Sequence, residues 1–326
     1  MKKKHKHLAR KIFLTVLLVL WASVVVYSQV GSSSSSSSKL TTIKIGYLSG
    51  DEVAISKTRG VLKKKMKAQG YNVVFKEFSS GAEEVQALAS GSIDYARCGD
   101  TPPITALAAG SKLAYIATGG TKSKGTGLLV KKSSGIKTVA DLKGKKIAYT
   151  KSTASEYFIR ALLAKYGLKS SDVQLVNLET SAATVAYSKG KVSAIVAWDP
   201  TTAQLEASGS TLLYTGDDVS YNNRSYIMST QKFAKNNEAV SQLLIKYLSQ
   251  DMTWANKHHA KLTKMLAKAM SLKESVVKKM ISRRSYDFGA VTKTAIKESQ
   301  AMADTFYKAG VIKTDPKISK YVIDMK

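Results

Sequence analysis

Beyond Thr41 the chain alternates two hydrophobic patterns: short runs rich in β-branched and aromatic residues, and longer stretches in which apolar residues return every three or four positions. That alternation predicts an α/β fold with mainly parallel sheets flanked by helices. Residues 43–48 are the first expected strand. A basic helix over 58–69 stops at Gly70, the residue type that most readily ends a helix. A strand at 72–78 follows, then a helix over 82–90. Ser79 and Ser80 supply its N-cap, and Glu83 and Glu84 sit at the positive end of its dipole. Residues 93–98 are a third strand. Thr101 then caps a helix running to Ala109, with Pro102 in its first turn, where a missing N–H costs nothing. Residues 113–118 and 127–130 are further strands.

A second module after Ser133-Ser134-Gly135 repeats the rhythm: strand 147–149, helix 153–165 ended by Gly167, strand 174–178, helix 182–188 and strand 194–198. In each half a small-residue helix and a Gly lead into a strand that runs to an Asp and a Pro. Gly91 to Pro102 forms this unit in the first half, and Gly190 to Pro200 in the second. After Tyr226 the pattern becomes mostly helical to Lys308, with amphipathic runs at 240–254 and 276–281 expected to pack back on the first half.

The start of the chain has a different character. Lys2, Lys3, Lys4, Lys6, Arg10 and Lys11 precede an apolar run from Ile12 to Val26 that extends to Val30. A basic segment before a membrane-length apolar stretch reads as a signal peptide or signal-anchor helix over 1–30, with a Ser-rich linker over 31–40. Either reading sends the remainder to the extracellular face of the cytoplasmic membrane, anchored by an uncleaved helix or released after cleavage at a site such as Val26-Tyr27-Ser28. No cysteine lies near this segment, which excludes a lipid-modified N-terminal thiol.

A length of 326 residues allows about two domains beyond that segment. The 51 basic and 23 acidic residues give a formal charge of +28, which implies attraction to polyanions. Lysine runs such as Lys63-Lys64-Lys65 lack interleaved aromatics, so the expectation is a solvated basic surface and no nucleic-acid partner. Cys98, the single cysteine, excludes an internal disulfide and reads as a small core residue. His258 and His259 are adjacent and point to different helix faces, a poor spacing for a metal; no metal, cofactor or catalytic residue is expected.

Several phrases carry a family likeness in consistent order: Gly91-Ser92-Ile93-Asp94-Tyr95, then Gly99-Asp100-Thr101-Pro102-Pro103-Ile104, Val139-Ala140-Asp141-Leu142, Ala197-Trp198-Asp199-Pro200 and Arg283-Arg284-Ser285-Tyr286. On these the chain resembles the extracellular binding proteins of ABC importers for aliphatic sulfonates and taurine, related to those for nitrate. The resemblance implies a two-lobed periplasmic-binding-protein fold (type II) with a ligand cleft between the lobes. Residues 41–130 plus 224–326 would form lobe 1 and 131–223 lobe 2, closing about crossovers near 128–131 and 224–228. It also implies a monomer that hands a captured solute to a membrane permease and does no chemistry on it.

In open α/β sheets ligands sit beyond the carboxyl ends of the strands, where helix N-termini present free N–H groups. The expected cleft residues are Ser49, Asp51, Gly99, Asp100, Thr101, Ser152, Thr153, Trp198 and Asp199. Thr101 and Ser152 or Thr153 would clamp one anion from opposite lobes, and each equally serves as a helix cap. On that basis Thr101→Val is expected to weaken sulfonate binding more than about tenfold. Trp198 either packs on an alkyl tail or fills the core, and Asp199 either accepts from a ligand amine or caps a helix. Arg97, in an apolar strand, either pairs with the anion or Asp100 or snorkels to the sheet edge. Asp51 and Glu52 suit a zwitterion better than a simple anion. Two other readings remain: a protein or enzyme related to thiamine-pyrimidine synthesis on the same fold, and a surface polyanion binder.

Overall fold

A computed structural model of the protein describes residues 40–325. The signal or anchor segment and most of the serine linker lie outside the described residues. Eleven strands and twelve α-helices assemble around two sheets among the described residues. The first sheet has the order β11-β4-β10-β3-β1-β2, formed by β1 (Thr41–Leu48), β2 (Tyr71–Phe78), β3 (Tyr95–Gly99), β4 (Leu113–Gly119), β10 (Ser225–Thr230) and β11 (Phe288–Gly289). The second has the order β7-β6-β8-β5-β9, formed by β5 (Thr126–Lys131), β6 (Lys146–Tyr149), β7 (Gln174–Asn177), β8 (Ala194–Trp198) and β9 (Ser210–Thr215).

Each sheet is parallel where strand–helix–strand units build it and antiparallel where the chain crosses over. β1 runs parallel to β2 and β3, with Ile45 opposite both Phe75 and Tyr95. β10 is antiparallel to both β3 and β4 and lies between them. The expected passage from crossover into helices after Tyr226 is therefore corrected: residues 225–230 form a central strand, buried except at Thr230. Likewise β5 pairs with β8 and β9, so residues 126–131 belong to the second sheet. The crossings fall between β4 and β5 and between β9 and β10, each on the sequence between two strands of different sheets.

The basic helix expected over 58–69 is two helices. Asp51 caps α1 (Glu52–Arg59) by accepting from the Ala54 N–H at 2.7 Å. Gly60 then adopts φ 70°, a left-handed conformation that stops α1 before α2 (Val61–Ala68) begins.

Period-two alternation along the strands gives the first sheet two apolar faces. Ile43, Ile45, Ile116 and Ile227 face a layer made of α1, α2, α9 (Glu238–Lys257), α10 (His259–Met270) and α11 (Glu274–Ser282). Ala96, Cys98, Tyr115 and Met228 face α3 (Gly81–Ala89), α4 (Thr101–Ala108) and α12 (Lys293–Lys308). Leu62, Leu248 and Leu262 are fully buried in the first of these cores, each contributing roughly 2 kcal/mol of transfer free energy. In the second sheet, α5 (Ala154–Lys165) covers one face through Phe158, Ile159 and Leu162. The other face is covered by α6 (Thr180–Ser188) and α7 (Thr201–Ala207) through Ala183, Tyr187 and Leu205.

Candidate functional site

The carboxyl ends of β1, β3 and β8 converge with the segments that connect the two sheets. Between them lie two small adjoining chambers of about 40 Å³ each. Arg97, Lys122, Trp198 and Asn223 line both; Ser49, Asp51, Asp199 and Arg284 line the first, and Gly99, Pro102 and Thr153 the second. Gly125 closes the wall by close approach: a Cβ there would stand 2.4 Å from Asp199 Oδ2.

The floor is an ionic network. Arg97 projects from β3, interior to the sheet, and its guanidinium pairs with Glu52, lies 3.7 Å from Asp51 and donates to Ser225 Oγ at 2.5 Å. It is neither at a sheet edge nor paired with Asp100. Lys122, on the first crossover, donates to the same Ser225 oxygen at 2.6 Å, and that hydroxyl donates to Glu52 at 2.8 Å. Arg284 is held by donating to the Gly50 carbonyl at 3.1 Å, which leaves its Nε without a partner.

Titration follows from this crowding. Burial raises the Asp51 carboxyl to about 6, against the pull of Arg97. Burial pushes Glu52 the same way, but Arg97, Lys122 and Arg284 outweigh it and hold Glu52 at about 2. Burial, with repulsion from Arg97 and Arg284, depresses Lys122 to about 7. Glu84 is raised well above the carboxylate range by burial and by Asp51, and it accepts the Arg97 backbone N–H. The site thus gathers three basic side chains, of which Lys122 titrates near neutrality, beside a Glu52 carboxylate that is held ionised.

The remaining expected residues are distributed unevenly. Thr153 lines the second chamber while capping α5 through the Ser155 N–H, and its own hydroxyl donates to the Thr150 carbonyl at 2.7 Å. Asp199 stands one residue before Pro200, the N-cap of α7; it accepts from the Ala203 N–H at 3.0 Å and approaches Arg283 at 3.6 Å while lining the first chamber. Ser152 lies in a wider groove with Ser80, Glu83 and Glu179. Asp100 and Thr101 turn away from the chambers. Asp100 accepts from Tyr221 at 2.7 Å and from the Arg224 N–H at 3.0 Å, tying β3 to the second crossover. Thr101 is the first residue of α4 and not its cap; its hydroxyl packs against Asp100 and Met302 in the core. Lys122, Asn223 and Arg284 were absent from the expected set. Arg284 stood in the Arg283-Arg284-Ser285-Tyr286 phrase, whereas nothing local marks Lys122 or Asn223.

Among the described residues no group of three or more His, Cys, Asp or Glu is disposed to hold a metal ion. Cys98 is buried, and burial pushes its thiol well above the ordinary range, which suits a core residue and not a nucleophile.

Two α/β units joined by crossing segments, with a small site lined by charged side chains where their strand ends meet, define a binding protein of the periplasmic type. The same architecture recurs in the alkanesulfonate-binding protein SsuA from Xanthomonas axonopodis pv. citri bound to MOPS, at TM-score 0.82 and 28% identity over 88% of this chain and 99% of that one. It recurs in the periplasmic aliphatic sulphonate binding protein SsuA from Escherichia coli, at TM-score 0.79 and 29% identity over 86% of this chain and 92% of that one. A curated relative of Escherichia coli (strain K12), named for aliphatic sulfonates binding, is 32% identical over 82% of this chain and 83% of its own length. Residues 66–258 match the NMT1/THI5 like family model. The chain belongs to the NMT1/THI5-like family, and these relatives are named as sulfonate-binding proteins.

Proposed function

We propose that the protein is the extracellular solute-binding component of an ABC importer, capturing an aliphatic sulfonate. The observation that carries this reading is the convergence of Arg97, Lys122 and Arg284 with Trp198 on one small site. A sulfonate spreads one negative charge over three acceptor oxygens and retains it throughout the physiological pH range. A cluster of donors surrounding a small chamber meets that demand, and an indole face covers the apolar carbon next to it. Family membership and the sulfonate-binding relatives support the same solute class. Taurine fits through its sulfonate, with Asp51 and Asp199 as candidate partners for its amine.

In this reading residues up to about the first crossing plus the chain from β10 onward make lobe 1, and β5 to β9 make lobe 2. The lobes close on the solute by hinge motion at the two crossings. Glu206 of α7 receives Arg283 at 2.5 Å and Lys279 of α11 at 2.8 Å, so closure is held by ion pairs bridging the two lobes. The protein acts as a monomer, exported by its N-terminal segment and kept by it at the extracellular face of the membrane, where a permease receives the solute. The protein itself does no chemistry on that solute.

Calorimetric titration with ethanesulfonate, MOPS, taurine, nitrate and sulfate tests this. Saturable heat from the organic sulfonates and none from sulfate is expected; absence of heat from every sulfonate would overturn the assignment.

A further inference from the structure

Around the first sheet, exposed positive charge is concentrated on one of the two helical layers. The layer formed by α1, α2, α9, α10 and α11 has buried positions such as Leu62, Met66, Leu248, Leu262 and Leu266 turned to the sheet, and lysines turned to solvent. Lys261, Lys264 and Lys268 lie three and four residues apart on α10, which places them in one exposed stripe; Lys64 and Lys67 do the same on α2. The acids on these helices are Glu52, Glu238, Asp251 and Glu274, and two of them, Glu52 and Asp251, are buried against Arg97 and Arg59. Across the same sheet the balance is different. α3 bears Glu83 and Glu84, α4 bears no charge, and α12 sets Lys293, Lys297 and Lys308 against Glu298 and Asp304.

We infer that this helical layer docks on an anionic lipid bilayer. A broad helical face whose lysines are almost unopposed by exposed acids fits an extended sheet of phosphate charge better than a compact anion. Trp254 and Tyr247 on α9 are engaged by Arg59 and Lys65, so the face offers no free aromatic platform for stacking nucleic-acid bases. The chain also enters the fold beside this layer: the Thr41 N–H donates to the Gly70 carbonyl just after α2. The forty residues before Thr41 include the apolar run from Ile12 to Val30, so the sequence supplies a membrane-seeking segment joined at that point. Each lysine within a Debye length of an anionic surface adds to the attraction, and the attraction is lost in salt. The inference concerns a face distinct from the solute site and stands whichever solute binds.

The test is lysine acetylation of the full chain reconstituted on vesicles, read residue by residue by mass spectrometry. On phosphatidylglycerol vesicles, Lys64, Lys67, Lys261, Lys264 and Lys268 should react roughly fivefold more slowly than on phosphatidylcholine vesicles, with the protection lost in about 0.5 M NaCl. Lys293, Lys297 and Lys308 should react equally on both. Equal rates for the first set on the two vesicle types would refute the docking. So would protection of that set by soluble poly(glycerol phosphate) without protection by phosphatidylglycerol, which would make the partner a polymer.

Discussion

Arg97 and Glu52 form an ion pair at the floor of the cleft with both side chains nearly sealed from solvent, 4% and 0% exposed. Two charges so placed depend on each other: removing one leaves the other buried without its nearest counter-charge, at a cost of up to about 3–5 kcal/mol. Arg97→Met should therefore lower unfolding free energy by about that amount in urea titration, because Glu52 and Asp51 lose their shared cation. Arg284 is in a different position, since its guanidinium donates to a backbone carbonyl, that of Gly50. Arg284→Gln should leave the unfolding midpoint nearly unchanged while weakening ethanesulfonate binding about tenfold or more, as measured by calorimetry.

Thr101 is predicted to be silent in binding. Its hydroxyl meets Asp100 and the Met302 sulfur inside lobe 1, not the chambers. Thr101→Val should cost about 1 kcal/mol of stability and leave sulfonate affinity within about twofold. A large loss of affinity with an intact fold would restore the role the sequence alone proposed for it.

Lys122 is expected to make binding pH-dependent. Its folded-state value of about 7 lies below the ordinary lysine value of 10.5, so between these limits the unfolded chain binds more protons than the folded one. Stability supplied by this group accordingly rises with pH across that window. Sulfonate binding acts in the opposite direction, because the anion favours the protonated amine. Affinity should fall as pH rises from about 6 to about 8.5, with proton uptake on binding, and Lys122→Gln should flatten that profile. A wild-type affinity independent of pH over this range would rule the amine out as an anion contact.

Glu206 of α7 joins the second-sheet unit to α11 through Arg283 and Lys279, and the Lys279 side chain is half exposed, so screening limits its share. Glu206→Gln should raise the solute dissociation rate about threefold with little change in association, measured by stopped-flow fluorescence. High salt should reproduce part of that effect in the wild-type protein and none in the variant.

Local periodicity was enough to read much of this fold. The strand at 194–198 has the bounds its apolar run implies, and the helix expected from Thr153 starts there because the Thr153 side chain accepts from a free N–H. β10 escaped detection because six residues between a polar loop and a helix carry no periodicity that distinguishes a crossover from a strand. Its place between β3 and β4 depends on partners more than a hundred residues away in the chain.

The same division applies to the site. By itself the sequence determined the two-module α/β plan, the strand ends at which the cleft opens, and the family phrases that run through them, since each depends on neighbours along the chain. Tertiary structure alone decided that Arg97, Lys122, Ser225 and Arg284 meet, and that Thr101 does not join them. Long-range packing sets where a charge is desolvated and which counter-charge it finds, and no local pattern encodes that.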